Sequence, residues 1–180
     1  MAKHVLTPPL KDTSHLVVGD EVLLTGVLYS ARDAAHQRLM ETLKRGEALP
    51  FPVVGAVLYY VGPCPAPPGC VIGSAGPTTA SRMDEMTIPL LESGLKGMIG
   101  KGDRSFLVKE AVRAYGAVYL AALGGAGALL ASRIHKAEVV AYADLGPEAI
   151  YRFEVREFPA VVAIDSQGGS IYTSGRTASE

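Results

Sequence analysis

Runs of strand length and apolar character recur along this chain, with segments of helical period between them. Residues 53–61 (VVGAVLYYV) read as a buried strand, and residues 19–29 (GDEVLLTGVLY) alternate and then turn apolar, which is also strand-like. Between them, residues 31–45 carry Ala35, Leu39 and Leu43 at i, i+4 and i+8, with Met40 beside them. That spacing predicts an amphipathic helix, which Gly46 ends. Strands and helices mixed at this spacing restrict the chain to an α/β domain with a mixed sheet.

The remaining segments follow the same pattern. Residues 71–74 read as a short strand, and 76–84 as a polar loop or single turn. A helix is expected from Thr87 as N-cap, with Pro89 in its first turn, to near Gly94. Residues 96–100 predict a short strand and 106–115 a helix ended by Gly116. A small-residue strand over 117–123, a glycine turn and a short helix to about Ile134 come next. Strands are expected over 138–142, 151–155 and 160–165, with a helical turn over 147–150. No repeat and no long linker divides the chain, so residues 1–180 are expected to form one domain, with a frayed tail from about Ser174.

Hydrophobic residues at 48% against 19% charged argue against disorder. A net charge of −1 lacks the basic excess of a nucleic-acid binder. The longest apolar run, 117–131, is broken by Gly124, Gly125 and Gly127 and is too short to span a bilayer, and residues 1–12 contain no apolar export core. A soluble cytoplasmic protein is expected. Cys64 and Cys70 share one proline-rich loop; they are free thiols, or a disulfide or metal pair, but two thiols cannot complete a Cys₃ or Cys₄ site.

Three segments concentrate polar groups beside small residues at expected strand ends, where open α/β sheets tend to bind ligands. These are 30–36 (SARDAAH), 78–84 (TTASRMD) and 100–104 (GKGDR). Arginine offers a bidentate fork to a carboxylate and lysine a point charge, so Arg32, Arg82 and Lys101 would suit a dicarboxylate. Each has a plainer reading. Arg32 could pair with Asp33 or Glu41, His36 could lie on a helix surface or in the interior, Thr78 and Thr79 could cap a turn, and Lys101 could be a hairpin lysine. Known nucleotide motifs fail: Gly102 follows Lys101 where a P-loop needs Ser or Thr, and Leu130 stands where a dinucleotide fingerprint needs its third small residue. No Gly-x-Ser-x-Gly elbow occurs.

Residues 27–36 (VLYSARDAAH), 60–63 (YVGP), 76–84 (GPTTASRMD), 94–102 (GLKGMIGKG), 124–127 (GGAG) and 157–168 (EFPAVVAIDSQG) together resemble the β region of class I iron–sulfur fumarases and L-tartrate dehydratases. The match runs in order over most of the chain. The resemblance implies a swivelling β/β/α-type domain and a hydro-lyase, with fumarate hydratase first and L-tartrate dehydratase or a related dicarboxylate hydro-lyase as the alternative. It implies a [4Fe–4S] cluster held by the cysteines of a partner α subunit, none being held by this chain. It implies that Arg32, Arg82 and Lys101 hold the substrate, with Thr79 and His36 as further binding or orienting groups and Thr78 as the base. Ser81 stands where the family often has glycine. A half-site of this kind is expected to be inactive without its α subunit, to form a homodimer alone and to assemble as α₂β₂. Phe51, Tyr59, Tyr60 and the 124–127 turn are candidates for partner-covered surface. The reading from a different class is a non-catalytic dicarboxylate-binding protein.

Overall fold

The computed structural model describes residues 1–122 and 125–173. It contains strands β1 (Lys3–Leu6), β2 (Glu21–Ser30), β3 (Val57–Tyr59), β4 (Gly97–Gly100), β5 (Val118–Ala121), β6 (Ile134–Ala141) and β7 (Ile150–Ile164). The helices are α1 (Asp33–Lys44), α2 (Asp84–Glu92), α3 (Phe106–Ala114) and α4 (Gly127–Ser132), with 3-10 turns at Ala80–Met83 and Ala143–Glu148. The expected α/β domain with a mixed sheet is what forms. Strands β2, β3, β4 and β5 are parallel neighbours, so their C-terminal ends share one edge. The 15-residue β7 runs antiparallel to both β5 and β2 and closes the circuit, while β1 and β6 lie outside it.

Alternation along the central strands explains their unbroken apolar runs. Val57, Tyr59, Ile99, Val118 and Leu120 enter a core inside the closed strands with Leu24, Leu28, Phe153 and Phe158. Leu58, Tyr60, Met98 and Tyr119 face the other way and bury against Ala35 and Leu39 of α1, Leu90 and Leu91 of α2, and Val108 and Val112 of α3. Every side chain of β3 therefore finds a core.

Several boundaries differ from the sequence expectation. β1 is a four-residue strand beside β2 that no apolar run announces. Residues 71–74 form no strand; the chain folds back there on Cys64, whose N–H donates to Ser74 O and whose carbonyl accepts from Gly73 N. Helix α2 begins at Asp84, because the preceding 3-10 turn runs directly into it. Thr87 is thus not its cap but lies inside it, its hydroxyl donating back to Met83 O at 2.8 Å. The two strands expected over 151–165 are one, with Glu157 at φ +50 and a register shift opposite Leu24 and Gly26 absorbing the irregularity. β6 starts at Ile134, earlier than expected, since its outer position leaves it mostly exposed, with Lys136 and Glu138 breaking the apolar pattern.

Phe51, Tyr59 and Tyr60 are buried within this chain and offer no surface to a partner. The large apolar side chains on the outside include Val5, Val54, Phe106 and Leu107. The 124–127 turn and the tail from Ser174 fall partly or wholly outside the described residues. Among those described, no helix is long and apolar enough to cross a membrane.

Candidate functional site

The parallel topology brings the three polar segments to one edge. Arg32 follows β2 and occupies the N-cap position of α1 in extended conformation. Its carbonyl accepts from His36 N at 2.9 Å and from His36 Nδ1 at 2.7 Å. A carbonyl only accepts, so Nδ1 carries the proton and Nε2 is the bare nitrogen. That Nε2 has no partner among the described residues. Complete burial pushes the His36 imidazole down to about 4, with the Arg32 carbonyl opposing and the charge of Arg104 reinforcing the shift. His36 is therefore neutral near pH 7 and has no exposed surface.

The Arg32 side chain lies across Gly62, where an added Cβ would stand 2.9 Å from both its Cδ and Nη1. Its Nε is 3.9 Å from Asp33 and 4.0 Å from Glu148. Asp33 also receives the fork of Arg82, Nε to Oδ1 at 3.0 Å and Nη2 to Oδ2 at 2.7 Å. One carboxylate thus stands between the two arginines. Arg82 sits in the 3-10 turn that precedes α2, half exposed, and its Nη1 has no carboxylate partner among the described residues.

Thr78 and Lys101 are paired through their backbones. Thr78 N donates to Tyr60 O at 2.7 Å, Lys101 N donates to Thr78 O at 3.2 Å, and Ala80 N donates to Lys101 O at 2.9 Å. The neighbouring Gly100 is needed there, since a Cβ would come within 2.9 Å of the Tyr60 ring and 3.0 Å of Ala80. Thr78 is half-buried, and its hydroxyl makes no hydrogen bond among the described residues. Thr79 is exposed and makes no capping bond to the 3-10 turn. Lys101 is exposed and forms no ion pair among the described residues. Arg82 also borders a groove of about 630 Å³ lined by Gln37, Asp84, Glu85 and Ser105, but neither Arg32 nor Lys101 lines it. Arg32 and Arg82 are linked through Asp33, while Lys101 is linked to Thr78 through the backbone at the neighbouring strand end.

Three contributors were not singled out from the sequence. Asp33 lies inside the flagged 30–36 segment, so its acidic neighbourhood with Arg32 was the available signal. Glu148 comes from the turn before β7, with nothing local to mark it. Arg104 belongs to the flagged 100–104 loop, but its side chain turns inward to Asp84.

Among the described residues no group of three or more His, Cys, Asp or Glu side chains could hold an ion, and Cys64 and Cys70 are exposed free thiols.

At the parallel strand ends of this α/β sheet lie Arg32, Arg82 and Lys101, the carboxylates of Asp33 and Glu148, and the Thr78 hydroxyl. Residues 7–175 match the family described as Fumarase C-terminus. A putative L(+)-tartrate dehydratase subunit beta of Methanocaldococcus jannaschii is 40% identical over 168 residues, covering 90% of this chain and 86% of that protein. The L(+)-tartrate dehydratase subunit beta of Escherichia coli is 33% identical, covering 97% and 89%. The aerobic class I fumarate hydratase of Salmonella typhimurium is 39% identical over 165 residues, covering 91% of this chain but 28% of that enzyme. The chain spans less than a third of the fumarate hydratases it matches. It belongs to the Fumarase C-terminus family.

Proposed function

We propose that this chain is the β subunit of a cytoplasmic, iron–sulfur-dependent hydro-lyase, acting on fumarate or on tartrate in complex with an α subunit that carries the cluster. What supports this reading is that the Arg32–Asp33–Arg82 cluster and the backbone-paired Thr78 and Lys101 lie at parallel strand ends that share one edge, in a chain of this family. Two relatives named as L(+)-tartrate dehydratase β subunits, of which this chain covers 86% and 89%, support tartrate as the alternative substrate.

This chain's part in such a reaction is electrostatic and positional. Removing a proton beside a carboxylate moves negative charge onto the carboxylate oxygens. Fixed cations aimed at those oxygens stabilise that charge more than the ground state. Arg32 and Arg82 supply forks, and Lys101 supplies an ammonium free of any ion pair among the described residues. The Thr78 hydroxyl is the candidate for taking the proton, and a threonine needs a base to activate it. None of this chain's described carboxylates bonds to it, so the activating group belongs to the α subunit in this scheme. Arg82 holds Asp33 through Nε and Nη2, which leaves Nη1 for a ligand.

Co-expression with a candidate α subunit, anaerobic reconstitution, and assay on fumarate and both tartrates tests the proposal. Activity on one of them is expected, with none from this chain alone. A reconstituted complex inert on all three, or a stoichiometric cluster on the isolated chain, would refute it.

A further inference from the structure

The edge cations stand over a buried fourth one. Arg104 is 3% exposed, yet it belongs to the same loop as exposed Lys101. Its Nε donates to Asp84 Oδ1 at 2.6 Å, and its Nη2 to Thr87 at 2.9 Å and to the Tyr60 hydroxyl at 3.3 Å. The guanidinium carbon lies 5.2 Å from the Tyr60 ring centroid and 4.9 Å from that of Tyr119. Burial disfavours a charge there, and the two rings and Asp84 more than offset it. A cation kept in a dry interior with this many specific contacts fixes the groups around it.

Those contacts lead to the site in every direction. Asp84 lies two residues beyond Arg82 and also accepts from Ser105 N at 2.7 Å, so one carboxylate ties the start of α2 to the end of the Lys101 loop. Tyr119 donates to Gly102 O at 2.8 Å, next to Lys101. The Tyr60 carbonyl holds Thr78 N, and the Tyr60 ring packs edgewise on His36 at 5.4 Å, which holds the Arg32 carbonyl. Arg32, Thr78, Arg82 and Lys101 are each one or two contacts from the Arg104–Tyr60–Asp84 column.

We infer that Arg104, with Asp84, is the positioning residue of the catalytic edge, setting where Lys101 and Thr78 stand relative to the two arginines. This rests on the proposed hydro-lyase function. Arg104 does not touch the ligand; it acts through the backbone of residues 101–105 and through Tyr60.

The test uses the reconstituted αβ complex with Arg104→Lys, Arg104→Met and Asp84→Asn, each also in a Lys101→Met background. Lysine keeps the charge but cannot span Asp84, Thr87 and Tyr60 together. In assembled complexes we expect Arg104→Lys to lower kcat at least about tenfold with a smaller change in KM, and Arg104→Met to lower it further. In the Lys101→Met background the Arg104→Lys penalty should shrink several-fold, because the loop it positions no longer carries an ammonium. If Arg104→Met does not fold, Arg104→Lys and Asp84→Asn decide. Wild-type kcat in a folded, assembled Arg104→Lys complex overturns the inference, and so does an equal penalty with and without Lys101. A wild-type complex inactive on fumarate and both tartrates fails differently: it removes the hydro-lyase function and this inference with it.

Discussion

Acidification should unlock the interior beneath Arg32 through one residue. His36 is fully buried, donates through Nδ1 to the Arg32 carbonyl, and has its other nitrogen bare. Its folded value of about 4 lies below the 6.5 expected in the unfolded chain, so the unfolded state binds the proton more readily. The associated stability is complete above about pH 6.5 and is lost as pH falls toward 4. Each pH unit of separation is worth about 1.4 kcal/mol, which puts the whole effect near 3 kcal/mol, of which about 2 kcal/mol is gone by about pH 5. Urea unfolding of the chain across about pH 8 to pH 5 should show that loss beyond what the other titrating groups give. His36→Phe, which keeps a ring against Tyr60 but cannot titrate, should be less stable near pH 7 and should lose less on acidification. The difference between the two slopes isolates His36 from His4, His15 and His135. Parallel slopes for wild type and variant, or a His36 imidazole resonance titrating near 6.5, would show the reasoning to be wrong.

Thr78→Val in the complex should stop solvent-deuterium exchange into the product while leaving inhibitor binding nearly intact, and Thr79→Val should leave exchange running; the reverse result would transfer the base role to Thr79. Because Thr79 is exposed and makes no capping bond, Thr79→Val should also cost less than about 0.5 kcal/mol in urea unfolding. Asp33→Asn removes the carboxylate between Arg32 and Arg82; the pair is half exposed, so stability should change by less than about 1 kcal/mol, while kcat/KM falls about tenfold or more. Unchanged kcat/KM would detach Asp33 from the site. Phe153→Ala, deep in the closed-strand core, should cost about 3–5 kcal/mol by thermal or urea unfolding, with a value under about 1 placing it outside that core.

The sequence announces its sheet more clearly than its edges. The run 53–61 is legible over 57–61, where alternate residues enter two different cores, but the strand itself is only Val57–Tyr59, and Val54 is exposed in the turn before it. β1 and β6 are hard to read for the opposite reason: they lie outside the closed circuit, and β6 fills its outward positions with Lys136 and Glu138. The start of α2 differs from the sequence expectation because Thr87 has the chemistry of a cap and uses it from inside the helix, on Met83 O. Among the site residues, glycine-flanked polar segments mark the loops, but not which charges turn inward. Lys101 and Arg104 are three residues apart in one loop, and only the packing of Tyr60 and Tyr119 makes the second a buried cation. Tyr59 and Tyr60 read as candidate surface because an apolar run cannot say which chain covers it.

An open edge explains why the proposed activity needs a partner. Two unit charges about 4 Å apart attract by only about 1 kcal/mol in water, and by about 4 kcal/mol at the effective dielectric of a protein surface region. Lys101 is exposed and Arg82 is half exposed, so in the isolated chain their pull on a forming dianion is near the weaker limit. Two such cations supply little beyond what water already gives the ground state. Covering the same groups with a second surface moves them toward the stronger limit without moving an atom of this chain, and it strengthens the interaction most where charge is greatest, in the transition state. The same cover would supply the base that the Thr78 hydroxyl lacks among the described residues. In the proposed complex, cation geometry would belong to this chain, through Arg104 and His36, while dielectric and proton acceptance would belong to the α subunit that closes over it.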